Sequence, residues 1–185
     1  MPRHHIFLTG VPGVGKTTLI KKIVKALQDK GRILNGFYTE ELRENGSRTG
    51  FDVVSLDGSR SPLARIRKDA TYKKQPTVGK YAVKLDEFER TAIPLLKHEV
   101  RADRNVVVVI DEVGKMELFS KVFQSKVSQL LNCSEVVVLG TIPVKKSFPI
   151  QFVEEIRQRA DVRVFEITFQ NRNNIFEEII NSLLV

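Results

Sequence analysis

The sequence predicts an α/β fold in three layers, with a mostly parallel sheet between helices and an antiparallel β-meander inserted in it. Three observations carry this. An apolar strand passes through a glycine-rich turn directly into an amphipathic helix over residues 6–27; Val106–Ile110 is a β-branched run without alternation; and strand-like and helix-like periods alternate through the C-terminal half.

The opening strand is Ile6-Phe7-Leu8. In the helix after it, Leu19, Ile20, Ile23, Val24 and Leu27 recur at helical spacing while Lys21, Lys22 and Lys25 fall on the other side, and Gly31 supplies the stop. From Gly36 the period becomes two. Phe37 and Thr39 lead to a turn at Asn45-Gly46, and Phe51, Val53 and Ser55 return from it as a hairpin. A second turn at Asp57-Gly58 and the alternating set Tyr81, Val83 and Leu85 extend the hairpin into a meander. The basic loop from Arg67 to Lys80, with Pro76 and Gly79, is expected to be exposed and mobile. Asp86 and Glu89 have the spacing of a capping box, so a helix is expected to start there, and Pro94 to kink or break it. After the Val106–Ile110 strand come a helix from about Glu117 to Leu131, a strand at Val136–Leu139, a helix near Phe152–Arg159, a strand at Val162–Ile167 and a last helix from about Asn173. No internal repeat or low-complexity tract interrupts this order, and residues 1–185 read as one domain.

Composition narrows the class. With 42% hydrophobic and 28% charged residues the chain is neither disordered nor membrane-like, and no stretch approaches the roughly 20 apolar residues that span a bilayer. One cysteine, Cys133, has no partner within the chain, and no signal-like segment precedes the first strand, so a cytoplasmic, reducing setting is expected. Lys and Arg total 30 against 22 Asp and Glu, a net charge of +8 that suits an anionic partner. Aromatic residues do not interleave with the basic ones as stacking on nucleic acid requires, which argues against that partner.

Gly10-Val11-Pro12-Gly13-Val14-Gly15-Lys16-Thr17 matches G-x-x-x-x-G-K-[ST] at each fixed position, between a strand and a helix as the motif demands. The glycines let the backbone close around phosphate oxygens, and loop N–H groups with the helix N-terminus form a positive concavity. Lys16 then reaches the β- and γ-phosphates, and the Thr17 hydroxyl is a ligand for Mg²⁺. Asp111 and Glu112 end the Val106–Ile110 strand, at the carboxyl edge where open α/β sheets bind ligands. An Asp there holds the Mg²⁺ shell, and the adjacent Glu orients a water towards the γ-phosphorus. The long interval between Lys16 and Asp111 leaves room for an additional strand between the phosphate-loop strand and the acidic one.

Gly10 to Thr18, Gly36-Phe37-Tyr38-Thr39-Glu40-Glu41, Gly50-Phe51-Asp52-Val53-Val54, Asp111 through Phe119, Gly140-Thr141-Ile142-Pro143 and Asn171-Arg172-Asn173 together resemble the cancer-related nucleoside-triphosphatase family, over nearly the whole chain. The resemblance implies a monomeric RecA-like P-loop fold and slow, broad hydrolysis of ribo- and deoxyribonucleoside triphosphates to diphosphate and phosphate. It also adds Thr18 and Gly114 to the nucleotide-binding set. Two other uses of the same cradle stay open: a kinase passing the γ-phosphoryl to a small molecule or polynucleotide end, and a slow nucleotide-dependent switch.

Other residues have two readings each. Lys115 is a cationic finger supplied in cis or a solvated lysine. Thr141 senses the γ-phosphate or ends a strand. In Asn171-Arg172-Asn173, either an asparagine simply caps the last helix or Arg172 instead stacks on or clamps the nucleotide base. Glu40 and Glu41 read as a solvated polar face. His4, His5 and His98 lack metal-ligand spacing with Cys133, which reads as a packing residue.

Overall fold

The computed structural model describes residues 4–67, 75–97, 106–145 and 147–184. Its centre is one nine-stranded sheet built from β1 (His5–Thr9), β2 (Ile33–Glu44), β3 (Ser47–Ser55), β4 (Arg60–Ile66), β5 (Thr77–Val78), β6 (Tyr81–Val83), β7 (Val106–Ile110), β8 (Val136–Thr141) and β9 (Val162–Glu166). The spatial order is β5-β6-β4-β3-β2-β7-β8-β1-β9. From β2 to β9 all neighbours are parallel, whereas β3, β4, β6 and β5 continue the same sheet antiparallel. The meander is therefore an extension of the central sheet. A strand does lie between β1 and β7, as expected, but it is β8, which comes after Asp111 in the chain; the long interval between Lys16 and Asp111 is filled by β2, the meander and α2.

Helices cover both faces. On one side α1 (Lys16–Asp29) and α5 (Phe176–Leu184) pack on Ile6, Leu8, Val107 and Val109; on the other α2 (Leu85–Leu95), α3 (Lys121–Leu131) and α4 (Gln151–Gln158) pack on Phe7, Val106, Val108 and Ile110. Successive side chains of β7 thus enter two different cores, which is why its sequence does not alternate. Phe37 of β2 meets Phe88 of α2 and Phe123 of α3 at ring-centroid distances of 6.1 and 6.2 Å, and this aromatic cluster seats both helices on the sheet. His5 ties β1 to its neighbours: Nδ1 accepts from the Val138 N–H at 3.1 Å, so Nε2 carries the proton donated to the Leu131 carbonyl.

The five apolar positions read on the first helix are the buried face of α1. Its end is a Schellman arrangement, with Gly31 at φ 73°, Gly31 N–H donating to Gln28 O and Arg32 N–H to Leu27 O. The hairpin turn falls at Asn45-Gly46, both with positive φ.

Four boundaries differ from expectation. Helix α2 starts at Leu85 with no side-chain cap, so Asp86 lies inside its first turn, and Glu89 instead accepts the Ser120 hydroxyl at 2.5 Å. The expected helix from Glu117 is a 3-10 turn, Glu117–Phe119, followed by α3. Ser120 divides them, because its backbone is extended and its hydroxyl accepts the Phe123 N–H at 2.9 Å. The stretch after Asp57-Gly58 contains a full strand, β4, and it is β4 that pairs with β6. Helix α5 begins at Phe176 rather than near Asn173, so neither asparagine caps it. Asn171 closes the preceding loop, accepting from Thr168 N–H and donating to Glu166 O at 2.8 Å each. Pro94 sits one residue before the end of α2. Of the basic loop, residues 68–74 lie outside the described residues, as does His98, while Thr77–Val78 is paired with β6. Cys133 packs at the margin of the core. Among the described residues no helix is long and apolar enough to cross a membrane.

Candidate active site

The loop between β1 and α1 takes its shape from backbone geometry that few residues tolerate. Gly15, the residue before α1, has φ 109°, and no side chain caps the helix there. The first-turn N–H groups of α1 consequently face outward as an anion cradle, with the helix dipole behind them. Lys16 donates from Nζ to the carbonyl oxygens of Gly10 at 2.7 Å and Val11 at 3.3 Å, so its ammonium stands across the mouth of the loop.

Asp111 ends β7 two strands away and is 2% exposed. Its Oδ1 accepts the Thr141 hydroxyl at 2.5 Å, while Oδ2 is buried without a hydrogen-bond partner. Burial pushes its pKa up, against the hydroxyls of Thr141 and Thr17 and the positive charges of Lys16 and Lys21. A buried carboxylate oxygen with an unused lone pair, beside the Thr17 hydroxyl, is the donor set that a small hard cation takes. Thr17 and Asp111 therefore fit Mg²⁺.

Gly10, Pro12, Gly13, Gly15, Lys16, Thr17 and Thr18 border one cavity of about 690 Å³ together with Asp111, Glu112 and Lys115. Lys115 is exposed at its margin. The remaining candidates stand outside the cavity wall. Val14 is wholly buried in the α1 core, Val11 is exposed, and Thr141 stands behind Asp111. Gly114 lies beneath Glu112: a Cβ added to it would come within 2.3 Å of Glu112 Oε1. Its contribution is the space in which the Glu112 carboxylate lies.

Arg172 is on the β9 side of the loop. Its Nη1 donates to Val14 O at 3.3 Å, and its guanidinium stacks 5.2 Å from the ring centroid of Phe169, a residue 59% exposed. Both belong to the loop that Asn171 fixes. Sequence reasoning missed Phe169, since a single phenylalanine after a strand carries no signal until its exposure is known.

The structure gives Glu40 and Glu41, read as a solvated polar face, separate surroundings, and it adds Glu117. Glu41 lines the cavity and pairs with Arg43 and Arg48, whereas Glu40 faces the other way and pairs with Lys21 of α1 and Arg60. Their adjacent positions on a strand send them to opposite faces of the sheet. Glu117 is 3% exposed, borders the same cavity, and lies within 2.9 Å of the point where a Cβ on Gly114 would be.

Comparison with known proteins places the chain. The model of the family described as NTPase matches residues 5–180. The bovine (Bos taurus) cancer-related nucleoside-triphosphatase homolog is 50% identical over 97% of this chain and 96% of its own length. The nucleoside-triphosphatase THEP1 of Aquifex aeolicus is 42% identical over 96% of this chain and 98% of its own length. Among solved structures, a human cancer-related nucleoside triphosphatase superposes with a TM-score of 0.85 at 48% identity, covering 96% of both chains. THEP1 from Aquifex aeolicus gives 0.83 at 41% identity, covering 97% of this chain and 98% of that one.

Proposed function

This chain belongs to the NTPase family and is a nucleoside-triphosphatase, a hydrolase, and we propose that it cleaves the γ-phosphate of diverse ribo- and deoxyribonucleoside triphosphates, slowly and with Mg²⁺. One observation carries the reading: the Lys16 loop and the Asp111–Glu112 strand end border the same cavity. Loop amides and the Lys16 ammonium bind the β- and γ-phosphates, and Lys16 takes up the charge that grows on them. Glu112 orients a water in line with the bond to be broken and accepts its proton; the water oxygen bonds to the γ-phosphorus, the β–γ bridging bond breaks, and diphosphate and phosphate leave. Thr17 and Asp111 would hold Mg²⁺, which would supply positive charge to the phosphates. Lys115, exposed where it borders the cavity, adds positive charge, and the Thr141 hydroxyl fixes Asp111. We take the working form as a cytoplasmic monomer.

The test is phosphate release from purified protein across the common triphosphates, with and without Mg²⁺. Similar rates for all bases, lost with EDTA, are expected; release from one base alone, or undiminished release in EDTA, sinks the corresponding part. A kinase reading also has support, since the cavity continues past Glu112 along Phe51, Leu63, Ile150 and Val153, with more room than a water needs. Labelled phosphate appearing on an added acceptor in preference to water would favour it.

Phe169 and Arg172 support the reading of breadth, because stacking on a ring reads no hydrogen-bond pattern and every base has a π-face. Phe169→Ala is expected to raise KM about tenfold for all nucleoside triphosphates, as loss of roughly 1–3 kcal/mol of stacking implies. Inorganic tripolyphosphate, which has no base, should be hydrolysed by that variant at the unaltered rate. An equal loss on tripolyphosphate would show that Phe169 supports the loop instead.

Gly114→Ala tests the space beneath Glu112. A side chain there must push the carboxylate aside, and misplacing a reacting group by about 1 Å costs on the order of a hundredfold. Turnover is expected to fall by about that factor, with nucleotide affinity kept within about threefold. Wild-type turnover in steady-state assays would remove this role from Gly114.

A further inference from the structure

Glu117 is not part of the phosphate cradle, yet among the described residues it is one of the most enclosed carboxyl groups. Its side chain turns back from the 3-10 turn to lie beside Gly114, where the backbone N–H groups of Gly114 and of Glu117 itself act against the rise of its pKa. Across the Cα of Gly114 lies Glu112. Glu112 Oε1 and Glu117 Oε2 are 2.3 and 2.9 Å from one and the same point, the place of a Cβ on Gly114. Two carboxyl groups therefore share the space that the missing side chain leaves, and both border the cavity.

Two negative charges at this separation, one of them buried, are not both kept. Burial first, then the charges of Glu112 and Asp111, hold the Glu117 carboxyl well above the usual carboxylate range. As a neutral acid it has a carbonyl oxygen for the backbone N–H groups and an O–H to donate. The Glu112 carboxylate, on the other side of the Gly114 gap, offers an acceptor for it.

We propose that Glu117 is a positioning residue for the hydrolysis: its carboxyl group donates a hydrogen bond to Glu112 and, by fixing that carboxylate in one orientation, aims the attacking water. The proposal rests on Glu112 being the group that orients water. The Gly114 gap, the 3-10 turn and the buried acid then form one device. The turn delivers Glu117 beneath the cavity, the absent side chain opens the passage, and the acid holds the catalytic carboxylate still. Alanine at 114 and loss of the acid at 117 disturb the same contact from two sides.

The experiment uses the full chain and Mg-ATP, with kcat, KM and thermal unfolding measured for Glu117→Gln, Glu117→Met, Glu112→Gln and the Glu112→Gln/Glu117→Met double variant. Glutamine keeps a carbonyl for the backbone and an N–H donor for Glu112, so kcat should stay within about threefold of wild type. Methionine keeps the volume and loses both groups; kcat should fall about thirtyfold with KM within about twofold. In the Glu112→Gln background the methionine substitution should cost no further turnover, because the group through which it acts is gone. The proposal is overturned if Glu117→Met turns over like wild type, if Glu117→Gln is as impaired as Glu117→Met, or if the methionine penalty persists in the Glu112→Gln background. Should the methionine variant fail to fold, Glu117→Ser, small and still polar, takes its place under the same criteria. Full activity in Glu112→Gln alone would instead defeat the assignment of Glu112, a result distinguishable from failure at Glu117.

Discussion

The Glu112→Gln protein is expected to bind Mg-ATP with near wild-type affinity and to release phosphate about a thousandfold more slowly. The substitution changes one oxygen to an amide nitrogen in a residue that borders the cavity beside Asp111. Shape and polarity are kept, so the triphosphate still meets the loop amides and Lys16. What is lost is a base able to accept the proton of the attacking water, worth about 10²–10⁴ in positioned proton transfer. The signature is a fall in kcat without a matching rise in KM, the pattern of an interaction made only on the way to the transition state. Isothermal titration with ATP, paired with single-turnover phosphate release, separates binding from chemistry. A variant that hydrolyses at the wild-type rate would leave Glu112 with no part in the reaction.

Lys16→Ala should fail at both stages. The Lys16 ammonium stands between the Gly10 and Val11 carbonyls at the mouth of the loop, so it meets the phosphates on arrival and stays with them as charge moves towards the β–γ bridge. Removing one such group from an oriented site costs roughly 10²–10³ in turnover. Charge-assisted hydrogen bonds in the bound state contribute about 1.5–3 kcal/mol, or roughly ten- to a hundredfold in affinity. The double loss distinguishes Lys16 from Glu112, where only turnover falls. Equilibrium titration and phosphate release on the two variants side by side decide it. Unchanged affinity in Lys16→Ala would mean that the loop holds the triphosphate by its amides alone.

Much of the site was legible because it is local in sequence. Gly10 to Thr17 is one turn whose glycines and lysine stand at fixed spacing, and Asp111 and Glu112 are marked by the apolar strand they end. The apolar face of α1 and the turn at Asn45-Gly46 were legible for the same reason, since helical and two-residue periods appear in consecutive residues. Boundaries were less so. Asp86 and Glu89 have capping spacing, but Glu89 finds a better partner in Ser120, which belongs to another helix. Ser120 in turn starts α3 four residues beyond Glu117, where its hydroxyl caps the N–H of Phe123 and Phe123 packs beside Phe88 and Phe37.

By itself the sequence determined the chemistry of the phosphate loop, the acidic strand end and the alternation of elements that makes an α/β sheet, because each is written in neighbouring residues. Tertiary structure decided where these meet. It put β8 between the two functional strands, turned Glu40 and Glu41 to opposite faces, exposed Phe169 beneath Arg172, and brought the carboxyl groups of Glu112 and Glu117 together over Gly114. Such contacts depend on which strands lie side by side and how much water reaches them. Burial and adjacency of this kind arise only when distant segments close on one another, and it is they that turn an ordinary glutamate into a group able to act on its neighbour.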